Sequence, residues 1–124
     1  MVLIDDSIVR GTTAARIVKL LREAGATEVH MRISAPPFLN PCYYGTDIDS
    51  RDSLIAVHHS QEEVCQIIGA DSLGYLSVEN VQKLAEHGGG LCTACFSGCY
   101  PTQVPENTRK LRFERKLSEK EPKA

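Results

Sequence analysis

The sequence lacks three features that would place it in a special class of protein. It contains no apolar run of the roughly 18–20 residues that are needed to span a lipid bilayer. Its 14 basic and 16 acidic residues give a formal net charge of −2, which argues against nucleic acid or an anionic membrane surface as a partner. It also shows no internal repeat. We therefore expect a globular protein that binds neither nucleic acid nor membranes.

The first residues also lack the features of a secretory signal, because Asp5 and Asp6 interrupt the opening apolar stretch at once. The 124 residues are enough for one small domain with a core, and the hydrophobic content of 42% is ordinary for a globular protein. Five cysteines are an odd number for a disulfide framework. In a reducing compartment, clustered thiols more often serve a metal or a cluster. We therefore expect a cytoplasmic protein.

Apolar spacing predicts a βαβ unit at the start of the chain. Residues 1–4 form a short apolar run that is typical of a buried parallel strand. Residues 13–23 carry apolar side chains at helical spacing, and Gly25 suits the end of that helix. Residues 28–34 alternate like a second strand. The two strands should therefore be parallel neighbours joined by the helix.

The rest of the chain predicts shorter elements. Three prolines between residues 35 and 41 exclude a regular helix or a central strand there. Ser50 is a candidate cap for a short helix through Val57, although residues 53–57 alone would also suit a strand. Three further elements follow: a helix after the capping box of residues 60–63, a strand over residues 73–76, and a helix from Ser77 to near His87. We expect the charged residues 106–124 to form a disordered tail.

The segment after the first strand has the residues that a sugar phosphate would require. Asp5 and Asp6 should lie at the carboxyl end of a parallel strand, where ligands bind in open α/β sheets. Adjacent carboxylates can accept hydrogen bonds from a ribose diol and can help to hold Mg²⁺. Gly11 permits a close approach of the backbone, and the helix that follows offers N–H groups to a phosphate. The alternative is a polar turn followed by an ordinary helix cap.

The run from Val2 to Thr13 closely resembles the phosphoribosyl-pyrophosphate signature of the type I phosphoribosyltransferases. The resemblance implies that Asp5 and Asp6 contact the ribose hydroxyls and Mg²⁺. It implies that the loop of residues 7–13 cradles the 5′-phosphate. The expected substrate-binding residues are therefore Asp5, Asp6, Ser7, Ile8, Val9, Arg10, Gly11, Thr12 and Thr13.

Cysteines form a second motif. Cys92 and Cys95 make a C-x₂-C pair, and Cys42 follows the proline-rich loop; thiolates at such spacing suit zinc or an iron–sulfur cluster. The alternative is that these thiols are simply buried. Nearby aspartates at positions 47, 49 and 52 lack the glycine and the closing glutamate of a calcium loop, so we do not expect calcium there.

Three stretches around these cysteines, residues 34–47, 68–73 and 91–101, are similar to the glutamine phosphoribosylpyrophosphate amidotransferase family in its iron–sulfur-containing branch. The resemblance implies a [4Fe–4S] cluster ligated by Cys42, Cys92 and Cys95, with a fourth ligand upstream of the motif in that family. Cys65 and Cys99 match no family ligand. The implied fold is α/β: residues 1–105 form the carboxyl-terminal half of a type I phosphoribosyltransferase parallel-sheet domain, followed by a helical, cysteine-containing extension.

That family makes 5-phosphoribosylamine from phosphoribosyl pyrophosphate and glutamine-derived ammonia, at the entry to purine biosynthesis. The resemblance therefore implies Mg²⁺, feedback by purine nucleotides and a homo-oligomer. The family's glutaminase domain has no counterpart in these residues, so we expect no catalytic residue here and an inactive isolated chain. Two alternatives remain: a type I phosphoribosyltransferase that uses a nucleobase, and a non-catalytic regulator that senses phosphoribosyl pyrophosphate.

Overall fold

The fold is built on a small parallel sheet. A computed structural model describes residues 1–48, 50–84 and 90–104. Within them the strands are β1 (Val2–Asp5), β2 (His30–Ile33) and β3 (Ser72–Tyr75), in the order β1-β2-β3. Both pairs are parallel: Leu3 lies opposite Met31, and Met31 lies opposite Leu73. The expected α/β fold with a parallel sheet is confirmed.

Helices connect the strands as the periodicity predicts. The element that joins β1 to β2 is α1 (Thr12–Glu23), whose residues Ala14 and Val18 are buried. Before β3 lies α3 (Gln61–Ile68), which begins with the predicted capping box: the Ser60 hydroxyl accepts from the Glu63 amide, and the Glu63 carboxylate accepts from the Ser60 amide. The helix α4 (Val78–Lys83) starts where the Ser77 cap predicts. Its expected end near His87 lies outside the described residues.

The prediction of one continuous helix from Ser50 to Val57 is wrong. A 3₁₀ turn (Arg51–Ser53) follows the Ser50 cap, and α2 (Ile55–His58) begins two residues later. Leu54 lies between them in an extended conformation and is fully buried. The break has a physical reason: the extended residue places its side chain in the core and leaves the Ile55 amide free to donate to the Val9 carbonyl oxygen at 2.9 Å. The expected tail over residues 106–124 lies outside the described residues.

Two apolar clusters hold the chain together. The main core lies between the sheet and the helices α1 and α3, and its members include Val18, Met31, Ile33 and Ile68. A second, smaller core consists of Phe38, Cys42, Ile48 and Leu54, packed against Val9, Val57, Cys95 and Phe96. Cys95 and Phe96 belong to α5 (Ala94–Ser97), a single turn that the sequence pattern does not reveal. The second core therefore joins the cysteine segments to the loop after β1.

One face of the sheet is open. Val2 and Ile4 alternate with the half-buried Leu3 along β1, and their exposed fractions are 64% and 75%. Since parallel sheets are ordinarily covered on both faces, exposed apolar side chains here favour contact with further protein. The homo-oligomer that the resemblance implies stays a prediction. None of the helices in the described ranges combines the length and the apolar composition that crossing a membrane would require.

At the opposite edge from the loops, Asp71 connects three segments. Its Oδ2 accepts from Arg22 Nη2 at 2.7 Å and from the Val29 amide at 2.6 Å. The Val29 hydrogen bond is the main cause that lowers the pKa of Asp71 below its ordinary value, and the Arg22 guanidinium adds to it. The carboxylate therefore stabilises the folded chain above its ordinary pKa of 3.8, and the stabilisation is lost as pH falls through the lower folded-state value.

We expect Asp71→Asn to lower the urea midpoint of unfolding at neutral pH, because the amide loses the charge that both donors face. The difference from the unchanged chain should shrink as pH falls below the ordinary pKa of the carboxyl. Glu23→Gln is the matched control, since Glu23 forms only an exposed pair with Lys19 at 3.9 Å. Equal effects of the two substitutions at neutral pH would contradict the role of Asp71.

Candidate phosphoribosyl and cysteine sites

The residues after β1 form the wall of a cavity of about 490 Å³. It is lined by residues 5–14 together with Ile17 and Asp47. All nine residues that the sequence assigns to ligand binding, Asp5 to Thr13, thus lie around one cavity. The strand ends at Asp5 and the helix begins at Thr12, so the loop spans the carboxyl edge of the sheet as expected.

The two aspartates differ in their surroundings. Asp5 is half-buried, and its Oδ1 accepts from the Asp6 amide at 3.0 Å. Its carbonyl oxygen accepts from the amide and the hydroxyl of Ser34, at 2.9 and 3.1 Å, which ties the loop to the end of β2. Asp6 is exposed, and its Oδ1 accepts from the Ser7 hydroxyl at 3.2 Å. Both carboxylates thus accept a hydrogen bond within the loop, and that of Asp6 is the more accessible to a ligand.

Gly11 forms the junction between the loop and α1. Its φ of 80° lies in the left-handed region, and a Cβ atom at this position would lie 2.7 Å from Ile55 Cδ1. No side chain in residues 1–48, 50–84 or 90–104 caps the amino terminus of α1. Within these ranges the first N–H groups of the helix have no side-chain partner, which is the arrangement that binds anions.

Three lining residues are not among the nine that the sequence assigns: Ala14 and Ile17 of α1, and Asp47, which is distant in sequence. Asp47 lies in the loop of residues 42–48, called here the cysteine loop. The Cys42 amide closes this loop by donating to the Ile48 carbonyl oxygen at 3.0 Å. In the sequence, Asp47 belongs only to an incomplete calcium-loop pattern with the aspartates at positions 49 and 52. No local signal connects Asp47 to the loop after β1, because the contact depends on how the second core packs.

The predicted cysteine ligands are partly brought together. Cys42 is buried, Cys95 is half-buried and Cys92 is exposed. Cys95 packs against the second core, of which Cys42 is a member, and burial together with the neighbouring Cys42 thiol raises the pKa of Cys95. In the described part of the chain, no three histidine, cysteine or acidic side chains are close enough to hold one metal ion. The structure thus supplies a thiol pair, with Cys92 nearby.

The surroundings of Cys42 suit a thiolate. Burial opposes ionisation, but the N–H groups of Tyr44, Thr46 and Gly45 and the Thr46 hydroxyl outweigh it, and they lower the pKa of Cys42 from 9.0 to about 7. The Tyr44 and Thr46 amides lie 3.5 and 3.4 Å from its Sγ. Converging N–H donors are the usual second layer around a metal-bound thiolate. The donor set therefore fits a thiolate-bound group at Cys42.

Cys65 and Cys99 do not join this pair. The Cys65 thiol donates to the Ala70 carbonyl oxygen at 3.2 Å and packs against the main core, and burial raises its pKa. Cys99 is exposed. None of the five cysteines forms a disulfide.

This parallel sheet, with an acidic pair and the amino terminus of α1 at its carboxyl edge, has the fold of the type I phosphoribosyltransferase class. Comparison with solved structures agrees. The chain superposes on the glutamine phosphoribosylpyrophosphate (PRPP) amidotransferase of Bacillus subtilis, solved with ADP and GMP, with a TM-score of 0.77 and 54% identity. The match covers 86% of this chain and 25% of that one. A structure described as the allosteric regulatory enzyme of purine biosynthesis gives a TM-score of 0.78 at 53% identity, covering 86% and 24%.

Sequence comparison points to the same proteins. The amidophosphoribosyltransferase of Bacillus subtilis is 53% identical over 113 residues, which is 87% of this chain and 24% of that protein. The enzyme of the same name from Synechococcus elongatus is 52% identical over 90% of this chain and 23% of its own length. No family model matches. The chain belongs to the amidophosphoribosyltransferase family and matches its C-terminal part. It spans about a quarter of the length of these relatives.

We expect Gly11→Ala to destabilise the chain more than Gly25→Ala. Both glycines have a positive φ, so each substitution should cost about 1 kcal/mol of backbone strain. Only the Gly11 variant also crowds Ile55, which is buried, and we expect its total to reach roughly 2–3 kcal/mol. The space around Gly25 is open. Urea unfolding of the two variants measures the difference, and equal losses would show that Ile55 does not restrict the loop.

Proposed function

We propose that this chain supplies the phosphoribosyl-pyrophosphate site of an enzyme that makes 5-phosphoribosylamine for purine biosynthesis. In that reaction ammonia derived from glutamine displaces pyrophosphate from C1 of the ribose. The observation that carries the proposal is the convergence of residues 5–14 on one cavity at the carboxyl edge of the sheet. Membership of the amidophosphoribosyltransferase family supports it and favours neither a nucleobase-using transferase nor a regulator.

The two ends of the cavity would bind the two ends of the ligand. Asp6, with Asp5 beside it, would accept hydrogen bonds from the ribose hydroxyls. The loop amides and the amino terminus of α1 would bind the 5′-phosphate, which needs N–H donors and a positive helix end. The Ser34 bonds to Asp5 and the Ile55 bond to Val9 hold this loop in place before any ligand arrives. The chain would thus contribute by positioning the ribose.

Mg²⁺ suits the acidic end of the site. In proteins this ion is commonly held by one or two carboxylates together with substrate oxygens, and Asp5 and Asp6 offer such a pair. When bound with the substrate, Mg²⁺ would balance charge on the pyrophosphate leaving group. We propose no proton-transferring side chain among the described residues, so we expect this chain to contribute to catalysis by binding and orienting the substrate.

Replacement of Asp6 tests the ribose assignment. We expect Asp6→Asn to weaken binding of phosphoribosyl pyrophosphate with Mg²⁺ by roughly tenfold or more, because charge-assisted hydrogen bonds are lost. Calorimetry on the chain gives the dissociation constants. Asp52→Asn is the matched control, since Asp52 is an exposed aspartate that does not line the cavity. Unchanged affinity in the Asp6 variant would refute the assignment.

We further propose that Cys42, Cys92 and Cys95 hold an iron–sulfur cluster of the [4Fe–4S] type. Support comes from the packing of Cys95 against the second core, which contains Cys42, and from the N–H donors around Cys42. A cluster there would join the loop of Cys42 to α5, two segments that already meet in the second core. Cys92 would need to move toward the pair, since it is exposed.

Anaerobic reconstitution tests the cluster ligands. With iron, sulfide and dithiothreitol as a source of a fourth thiolate, we expect the chain to retain iron and sulfide after gel filtration. Cys42→Ser and Cys95→Ser should abolish retention because each removes one of the proposed thiolate ligands. Cys99→Ser should retain both elements and serves as the control. Failure of the unchanged chain to retain iron and sulfide, or an equal loss in the Cys99 variant, would contradict the proposal.

Two further proposals, on regulation and on assembly, rest on the same family relationship. The Bacillus subtilis neighbour was solved with ADP and GMP, and we propose that purine nucleotides also act as feedback ligands of the enzyme to which this chain belongs. We propose a homo-oligomer, which the exposed apolar face of β1 supports. Five unpaired thiols favour a reducing compartment such as the cytoplasm.

A further inference from the structure

The proposed function leaves one carboxylate in the wall of the phosphoribosyl cavity without a role. Among the described lining residues the acidic ones are Asp5, Asp6 and Asp47, and only the first two are proposed to bind the ribose and Mg²⁺. In the described part of the chain, no three acidic, histidine or cysteine side chains are close enough to hold one metal ion. Asp47 is therefore not a third ligand in the proposed Mg²⁺ site.

Backbone hydrogen bonds fix Asp47 in this wall. The Ile48 amide donates to the Thr46 carbonyl oxygen at 2.8 Å, so Asp47 is the central residue of a three-residue turn. The Thr46 amide donates to Cys42 Sγ at 3.4 Å, and the Ile48 carbonyl oxygen accepts from the Cys42 amide at 3.0 Å. Ile48 is buried in the second core, against which Val9 packs. The turn thus holds Asp47 close to the loop that is proposed to bind the 5′-phosphate.

The charge of Asp47 acts against the groups that attract a phosphate. Arg10 and the amino terminus of α1 contribute positive charge to the same wall. Asp47 is exposed, and within residues 1–48, 50–84 and 90–104 its carboxylate forms no hydrogen bond or ion pair. A negative charge that is fixed in an anion site weakens the binding of anions in general. Such a charge can nevertheless improve specificity, because it disfavours the more highly charged of two related ligands.

The size of the cavity makes this repulsion effective without direct contact. A volume of about 490 Å³ corresponds to a space roughly 10 Å across, which is no more than the Debye length of ~10 Å at 0.1 M salt. The Asp47 charge therefore acts on a ligand anywhere in the cavity. Two unit charges at this separation interact weakly in water, but a phosphoribosyl diphosphate carries several negative charges. We therefore expect a severalfold effect on affinity.

We propose that Asp47 is a specificity-determining residue that makes the cavity disfavour metal-free phosphoribosyl pyrophosphate and so favour the form that carries Mg²⁺. The proposal rests on the proposed function. Bound Mg²⁺ lowers the net negative charge of the ligand and thereby its repulsion from Asp47. If Asp47 instead bound the ion, its removal would weaken the binding of the Mg²⁺ form, so the two roles predict opposite results.

Calorimetry on the full chain tests this role of Asp47. Dissociation constants of phosphoribosyl pyrophosphate are measured with Mg²⁺ and with EDTA in its place. In Asp47→Asn, the affinity for the metal-free ligand should rise by about threefold or more at low ionic strength, and the affinity with Mg²⁺ should rise by less. The preference for the Mg²⁺ form should therefore fall. Because salt screens the repulsion, most of this change should disappear in about 1 M KCl.

Two further variants control the experiment. Asp47→Glu keeps the charge and should keep the preference of the unchanged chain. Asp52→Asn removes an exposed aspartate that does not line the cavity, and it should also keep that preference. The proposal is overturned if Asp47→Asn keeps the preference, or if it weakens the binding of the Mg²⁺ form. If the unchanged chain binds the ligand under neither condition, the proposed function itself fails and this proposal fails with it.

Discussion

The parallel pairing of β1, β2 and β3 is the constraint on which the rest of the structure depends. Parallel strands need a crossover between them, and their carboxyl ends then lie at one edge of the sheet. In this chain that edge receives the acidic pair after β1, Ser34 after β2 and Tyr75 at the end of β3. The opposite edge holds the connection of Asp71 with Arg22 and Val29. The candidate ligand-binding residues thus lie at one edge of the sheet, and the hydrogen bonds of Asp71 lie at the opposite edge.

The second core connects the cysteine segments to the loop after β1. Leu54 and Ile48 are buried there, and Val9 of the loop after β1 and Cys95 of α5 pack against them. The backbone bond from Ile55 to Val9 and the bonds from Leu39 and Asn40 to the Cys95 carbonyl oxygen fix the loops on both sides of this cluster. The loop of Cys42, α5 and the loop after β1 are therefore parts of one packed unit.

The sequence predicts the elements whose signal is local. The βαβ unit, the capping box of α3 and the Ser77 cap of α4 each depend on residues within one turn or one strand, and the structure contains them. The break at Leu54 and the single turn of α5 were not predicted, because tertiary burial determines both. Asp47 was missed for the same reason: its place beside the cavity is set by the packing of Ile48 and Cys42, more than thirty residues from Asp5. Local pattern thus predicts the site's main loop but not the residues that pack against it.

The charge distribution along the phosphoribosyl cavity argues for the kind of ligand it accepts. Asp5, Asp6 and Asp47 contribute three carboxylates to its wall, whereas Arg10 and the amino terminus of α1 contribute positive charge. A simple anion would be repelled by the carboxylates, and a simple cation would be repelled by the positive groups. A molecule with hydroxyls and a metal-bound diphosphate at one end and a phosphate at the other satisfies both. The proposed Mg²⁺ would enter with such a ligand and reduce the repulsion between these carboxylates and the diphosphate.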